Sequence, residues 1–304
     1  MSLDDGMMAP VPDIDVELVR RLVRTQFPHW SDLPITPAVP QGWDNRTFRL
    51  GEDMSVRLPS AVGYTLQIEK EHRYLPRLAP LLPLPIPIPL AKGNPGESYP
   101  WHWSIYRWLP GETADSTHIT ALTQFATALA DFLVTLQQID PSDGPPPGRH
   151  SAFRGAPLTI YDAETRRAIQ VLDNAIDTMA VLEVWNAALA APWSGPAVWF
   201  HGDVAVGNLL VYDGKLAGVI DFGCAGVGDP ACDMVIAWTF FTGGSRTAFH
   251  ASMQADAGTW ARGRGWALWK ALITLAEYQH THAAKAADAR RVLEEVLADH
   301  KEGT

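Results

Sequence analysis

The spacing of apolar residues changes near residue 110. Before that point, short runs with strand-like alternation, "RTFRLG" at 46–51, "MSVRLP" at 54–59 and "WHWSIYRWL" at 101–109, are divided by turn residues, and one helical insert fills 65–80. After it the period lengthens to that of helices. Over 119–138, Leu122, Phe125, Ala126, Leu129, Phe132, Leu133 and Leu136 recur at steps of three and four and make one apolar face. Further helices are expected over 161–190, 229–242, 245–261, 265–282 and 284–299, with "GRHSAFRGAP" a loop. The pattern predicts a β-rich part over 1–109 and a mainly helical part over 110–304. They join at about 106–112, where strand residues give way to Pro110 and Gly111.

One stretch, "WFHGDVAVGNLLVYDGKLAGVIDFG" at 199–223, places polar residues between two apolar runs. "AVWF" and "NLLVY" read as buried strands, and Asp213-Gly214 as a two-residue hairpin turn joining "NLLVY" to "KLAGVID". Antiparallel pairing through that turn is expected to carry Asn208 and Asp221 to one end of a ribbon, where Asp203 on the preceding loop joins them. An amide oxygen and a carboxylate suit a hard divalent cation such as Mg²⁺, which takes few protein ligands and keeps positions for phosphate oxygens.

Composition narrows the function classes. A chain of 304 residues, 47% hydrophobic and 19% charged, has apolar material for one large core or two lobes. Its net charge of −10 argues against nucleic acid as a partner, since phosphate recognition needs a basic face, and it suits a cationic small molecule. Two cysteines, Cys224 and Cys232, make no disulfide framework and lack metal-ligand spacing, which fits core residues in a reducing, cytoplasmic setting. "MSLDDGMMAP" carries no leader pattern, and no run of about 18 uncharged apolar residues occurs, so neither export nor membrane association is expected. Pro83, Pro85, Pro87 and Pro89 strip donors from one side of an extended chain and predict an edge strand or polyproline connector.

His201, Asp203 and Asn208, followed thirteen residues later by Asp221-Phe222-Gly223, resemble the catalytic loop and metal-binding signature of the protein-kinase-like fold. The "HGD" form is similar to that of the aminoglycoside phosphotransferase family. The resemblance implies an α+β fold of two lobes: a small antiparallel sheet with one helix binding nucleotide, and a larger helical lobe with the catalytic loop and acceptor pocket. It implies that Asp203 orients or deprotonates the acceptor hydroxyl, that Asn208 and Asp221 hold Mg²⁺ against the phosphates, and that His201 packs to hold the loop.

In the amino-terminal part, "QGWDNRTFRLG" resembles the family's phosphate-covering hairpin, with Gly42 and Asn45 as the candidate nucleotide contacts. The next strand is expected to carry a Lys that pairs with phosphates and with a helix Glu; here Arg57 stands in its place. Of Glu69 and Glu71, alignment of "IEKE" favours Glu71 as its partner. Tyr106 to Trp108 are the candidates for backbone pairing with the base. "GDPACD" at 228–233 resembles the family segment that anchors the loop, with Asp229 a helix N-cap and Asp233 a brace. Trp238, Trp260, Trp266 and Trp269 wall a pocket or fill the core.

The expected activity is transfer of the γ-phosphate of ATP or GTP to a hydroxyl of a small molecule, an aminoglycoside-like antibiotic by family resemblance, as in antibiotic resistance. A macrolide or a small metabolite remains open as acceptor. A nucleotide-binding protein with little transferase activity, suggested by Arg57, is the alternative of another class, and a metal-dependent hydrolase is a third. Oligomeric state is not legible.

Overall fold

Strand β3 (Met54–Pro59) sorts the amino-terminal residues into two layers, because neighbouring side chains leave opposite faces of a sheet. The structure is a computed structural model that describes residues 13–39, 41–42, 44–114 and 119–303, so the amino-terminal segment read for a leader, and Trp43, lie outside it. The chain divides into two compact units, Met1–Glu112 with Ala217–Gly223, and Thr113–Leu216 with Cys224–Thr304.

The first unit begins with α1 (Val16–Gln26), which the sequence reading did not include. Asp15 caps it by accepting from Leu18 N at 2.8 Å. Strands β1 (Ile35–Pro37), β2 (Asn45–Leu50) and β3 are followed by α2 (Leu66–Leu78), β4 (Pro89–Gly93) and β5 (Trp103–Arg107). The five strands form one antiparallel sheet in the order β1-β2-β3-β5-β4. The proline run thus leads into an edge strand, where a missing N–H costs no ladder bond.

On one face of the sheet, Phe48, Leu50, Val56, Leu58, Trp103 and Ile105 pack with Leu18, Val19, Leu22 and Val23 of α1 to make an apolar core. The other face carries Ser104, which meets His72 of α2 at 2.9 Å, and Tyr106, whose hydroxyl donates to Glu71 of α2. Arg57 pairs across the sheet with Thr47 and Ser104.

The second unit begins at Thr113, the last residue of β6 (Glu112–Thr113), and continues with α3 (Leu122–Gln138), α4 (Asp162–Leu172) and α5 (Thr178–Leu189). The helix expected over 161–190 is broken at 173–177, where Asp177 turns its carboxylate to the N–H of Ala180 and caps a new helix. Strands β7 (Val198–Phe200), β8 (Leu209–Tyr212), β9 (Lys215–Val219) and β10 (Gly226–Gly228) follow, the residues of β9 from Ala217 on being counted with the first unit. Asp213 and Gly214, between β8 and β9, both have positive φ, 52° and 70°, as a two-residue hairpin turn requires.

Helices α6 (Ile236–Thr239), α7 (Gly243–Met253), α8 (Ala257–Tyr278) and α9 (Ala283–Glu302) complete the unit. Only Ile236–Thr239 of the helix expected over 229–242 is α-helical; Pro230–Val235 is a 3₁₀ segment. The expected break near 262–264 does not occur, and α8 runs through it. Its Gly263 and Gly265 are packing residues: a Cβ at either would stand 2.5 Å from Met234 Cβ or 2.7 Å from Ala188 Cβ. No helix among the described residues is long and apolar enough to cross a membrane.

Candidate active site

The loop after β7 is held by its backbone. Strand β7 pairs antiparallel with β10, from Val198 opposite Gly228 to Phe200 opposite Gly226, and delivers the chain to His201. Asp233, fully buried, accepts from the N–H groups of His201 at 2.8 Å and Gly202 at 2.7 Å. Its burial pushes the carboxyl up from its ordinary value, against the opposing pull of His201 and those two N–H groups. Gly202 has φ +83°, and a Cβ there would lie 2.6 Å from the carbonyl oxygen of Cys224. His201 is fully buried, and its Nδ1 accepts from the N–H of Asp203 at 3.2 Å.

Asp203 and Asn208 meet in this unit. Asn208 Nδ2 donates to both the carbonyl of Asp203, at 2.9 Å, and its carboxylate, at 3.1 Å. The amide oxygen of Asn208 is thereby left without a hydrogen bond among the described residues, as a ligand to a hard cation would be. Asp203 Oδ1 also lies 3.6 Å from Lys270 Nζ. Burial alone would raise the Asp203 carboxyl, but Lys270, His201, Arg154 and the Asn208 hydrogen bond outweigh it and hold it below the usual carboxylate range. The group is an ionised hydrogen-bond acceptor at neutral pH.

Beside Asp203 is a cavity lined also by Arg154, Lys270, Trp266 and Trp269. Of the four tryptophans singled out, these two face the cavity, whereas Trp238 is fully buried and its ring lies 4.6 Å from that of Trp260. The segment expected to anchor the loop does so through Asp233, while Asp229 caps Ala231 N at 3.1 Å and pairs with Arg262.

The first unit gathers the other candidates. Arg57, nearly buried, lies 3.2 Å from Asp221 Oδ1 and 3.8 Å from Glu71 Oε1, with its guanidinium 5.5 Å from the centre of the Tyr106 ring. Burial would discharge it, but Glu71 and Asp221 more than offset that, so it stays charged. Glu71 is buried and faces Arg57, whereas Glu69 is exposed and pairs with Lys92 at 2.6 Å. Asp221 adopts φ +65°, an uncommon conformation for a residue with a side chain. Two residues on, Gly223 accepts a hydrogen bond from the buried Lys70 at 2.5 Å, a contact the sequence did not suggest.

Gly42 is exposed, its carbonyl taken by Arg46 at 2.8 Å, and Asn45 is buried at the head of β2. In the segment after β5, the N–H of Arg107 is bonded to Ile88 O at 2.9 Å and that of Trp108 to Asp53 O at 2.7 Å. The first N–H without such a partner among the described residues is that of Leu109.

Sequence reading passed over Arg154 and Lys270. Lys270 had a signal, as the one charge in the apolar run "WALWKALITLA"; Arg154, in a glycine-rich loop, had none.

Comparison with known proteins agrees with this architecture. The model of the phosphotransferase enzyme family (APH) matches residues 36–266. A stretch of 57 residues is 39% identical to aminoglycoside 3'-phosphotransferase from Escherichia coli, spanning 18% of this chain and only 21% of that relative. Among solved structures, the GDP and kanamycin complex of APH(2")-IIIa superposes with a TM-score of 0.69 at 19% identity, covering 92% of this chain and 98% of that one. The macrolide 2'-phosphotransferase MphH from Brachybacterium faecium gives 0.58 at 20% identity, covering 91% and 98%. At such identities the likeness is one of fold.

Proposed function

The chain belongs to the phosphotransferase enzyme family, and on that premise we propose that it moves the γ-phosphoryl group of ATP or GTP to a hydroxyl of a small molecule. The observation that carries the reading is the Asp203–Asn208 pair, in which one amide orients the carboxylate and keeps its own oxygen available. The acceptor hydroxyl donates to Asp203, its oxygen bonds to the γ-phosphorus as the bond to the β-phosphate oxygen breaks, and its proton passes to Asp203. The nucleoside diphosphate leaves with the electron pair of the broken bond. Because the transition state is loose, holding the hydroxyl in line contributes more than a strong base would, which suits a carboxylate kept ionised.

Asn208 and Asp221 supply an amide oxygen and a carboxylate, a hard donor set that fits Mg²⁺. When bound, the ion would neutralise charge on the phosphate oxygens. Arg57 is the cation facing the phosphates in place of Lys, already positioned by Glu71, Asp221 and the Tyr106 ring. Leu109 offers its N–H to the base, since those of Arg107 and Trp108 are engaged within the first unit. One relative is named for an aminoglycoside and one solved structure for a macrolide, which supports a small hydroxylated molecule as the acceptor.

The test uses γ-labelled ATP and GTP with Mg²⁺ and a panel of hydroxyl acceptors. Label should transfer to an acceptor, and Asp203→Ala should lower kcat by about 10²–10⁴-fold while nucleotide affinity holds. Nucleotide binding with transfer to no acceptor would defeat the proposal, as would phosphoester hydrolysis without a nucleotide.

A further inference from the structure

Asp203 is the one carboxylate among the residues lining the cavity beside it, and two cations line that cavity with it. Lys270 pairs with Asp203 at 3.6 Å and with no other carboxylate among the described residues. Arg154 has no carboxylate partner within ion-pair distance there. Its Nε donates to the carbonyl of Gly202 at 3.2 Å, its guanidinium carbon stands 5.2 Å and 4.9 Å from the ring centres of Trp266 and Trp269, and its Nη1 is shut from solvent with no hydrogen-bond partner. The nearby Glu164 is occupied by Trp269 Nε1 at 2.8 Å.

A guanidinium fixed by stacking, by its hydrogen bond to Gly202 and by the Tyr161 hydroxyl, with Nη1 left unused, is a pre-oriented receptor for an anion. The same charges oppose a polycation, because like charges brought together in a recess are poorly screened. The chain's overall acidity does not bear on this, since the local balance of one carboxylate against two cations is what an acceptor meets.

We propose that the acceptor carries a carboxylate or a comparable anionic group near the hydroxyl that is phosphorylated, that Arg154 and Lys270 select for it, and that polycationic aminoglycosides are rejected. This deepens the phosphotransferase reading and rests on Asp203 being the residue that orients the hydroxyl.

Binding to the full chain is followed by tryptophan fluorescence, since Trp266 and Trp269 lie against Arg154. The probes are 4-(hydroxymethyl)benzoate, its methyl ester, 4-(hydroxymethyl)benzylamine and kanamycin. The benzoate should bind at least ~10-fold more tightly than the ester or the amine, with kanamycin failing to compete. The preference should shrink to within ~2-fold in Arg154→Gln and in Lys270→Gln. Lys270 is half-exposed, so Lys270→Gln decides the matter should Arg154→Gln not fold. Equal binding of ester and benzoate, competition by kanamycin, or an undiminished preference in a folded variant overturns the assignment. A charge preference without label transfer to any acceptor defeats the phosphotransferase reading alone; transfer to kanamycin defeats the charge assignment alone.

Discussion

Replacing Arg262 by Met tests how the second unit secures the segment carrying Asp229 and Asp233. Arg262 forks onto Asp229 through Nε at 2.7 Å and Nη2 at 3.2 Å, and also donates to Ala191 O at 2.9 Å and Thr259 Oγ1 at 3.0 Å. The two charged side chains are only 5% and 4% exposed, so water cannot replace a lost partner. Met keeps much of the packing of the stem but leaves the Asp229 carboxylate with the Ala231 N–H alone. Removing one member of a buried pair costs about 3–5 kcal/mol, and with the stem retained we expect ~3–4 kcal/mol. At about 2–4 °C per kcal/mol for a unit of this size, the melting temperature should fall by ~6–16 °C in scanning calorimetry. Asp229→Asn and the double variant complete a cycle in which the double loses less than the sum of the singles. A fall under ~2 °C, or strict additivity, would show that the pair is not what holds the segment.

Gly202→Ala should destabilise the second unit by ~2 kcal/mol or more in urea unfolding, because φ +83° and a Cβ 2.6 Å from Cys224 O are both hostile to a side chain; an unchanged midpoint contradicts this. For Asp203, a folded pKa below the unfolded one means that the ionised form and its contribution persist above that lowered value and are lost as pH falls through it. The acid limb of kcat should therefore lie below the ordinary carboxylate range, and Lys270→Gln should move it upward in a pH–rate profile; a stationary limb refutes the pairing. Arg57→Met leaves the buried Glu71 without its cation, so nucleotide Kd should rise and amide exchange over β3 and β5 should quicken; unaltered exchange would count against the cluster.

Legibility followed the range of the interactions. Strand β3 and the Asp213-Gly214 turn were readable because alternation and turn chemistry are local, and the fold class followed from them and from the motif. Helix α1 was equally local, with Asp15 ahead of Leu18, Val19, Leu22 and Val23, and its signal was passed over. The helices expected over 245–261 and 265–282 leave a gap that α8 runs through, and the close approach of Met234 and Ala188 accounts for Gly263 and Gly265 there. Glu71 was preferred to Glu69 by alignment of "IEKE" with the family it resembles, and the first unit places it against Arg57. Arg154 could not be found this way, since its meaning lies in Trp266 and Trp269, far off in sequence, and the charge of Lys270 stood out in its apolar run but its partner Asp203 is also distant in sequence.

The first unit is discontinuous, taking back Ala217–Gly223 after the chain has left it at Glu112. A ribosome synthesises roughly 110 further residues between those points, which at ~5–20 residues per second is ~5–20 s. Throughout that interval Lys70 lacks the carbonyl of Gly223, and the carbonyl of Pro85 lacks the N–H of Val219 that meets it at 3.1 Å. The nascent unit therefore emerges with these two hydrogen bonds unmade, and their formation is timed by translation of a later segment.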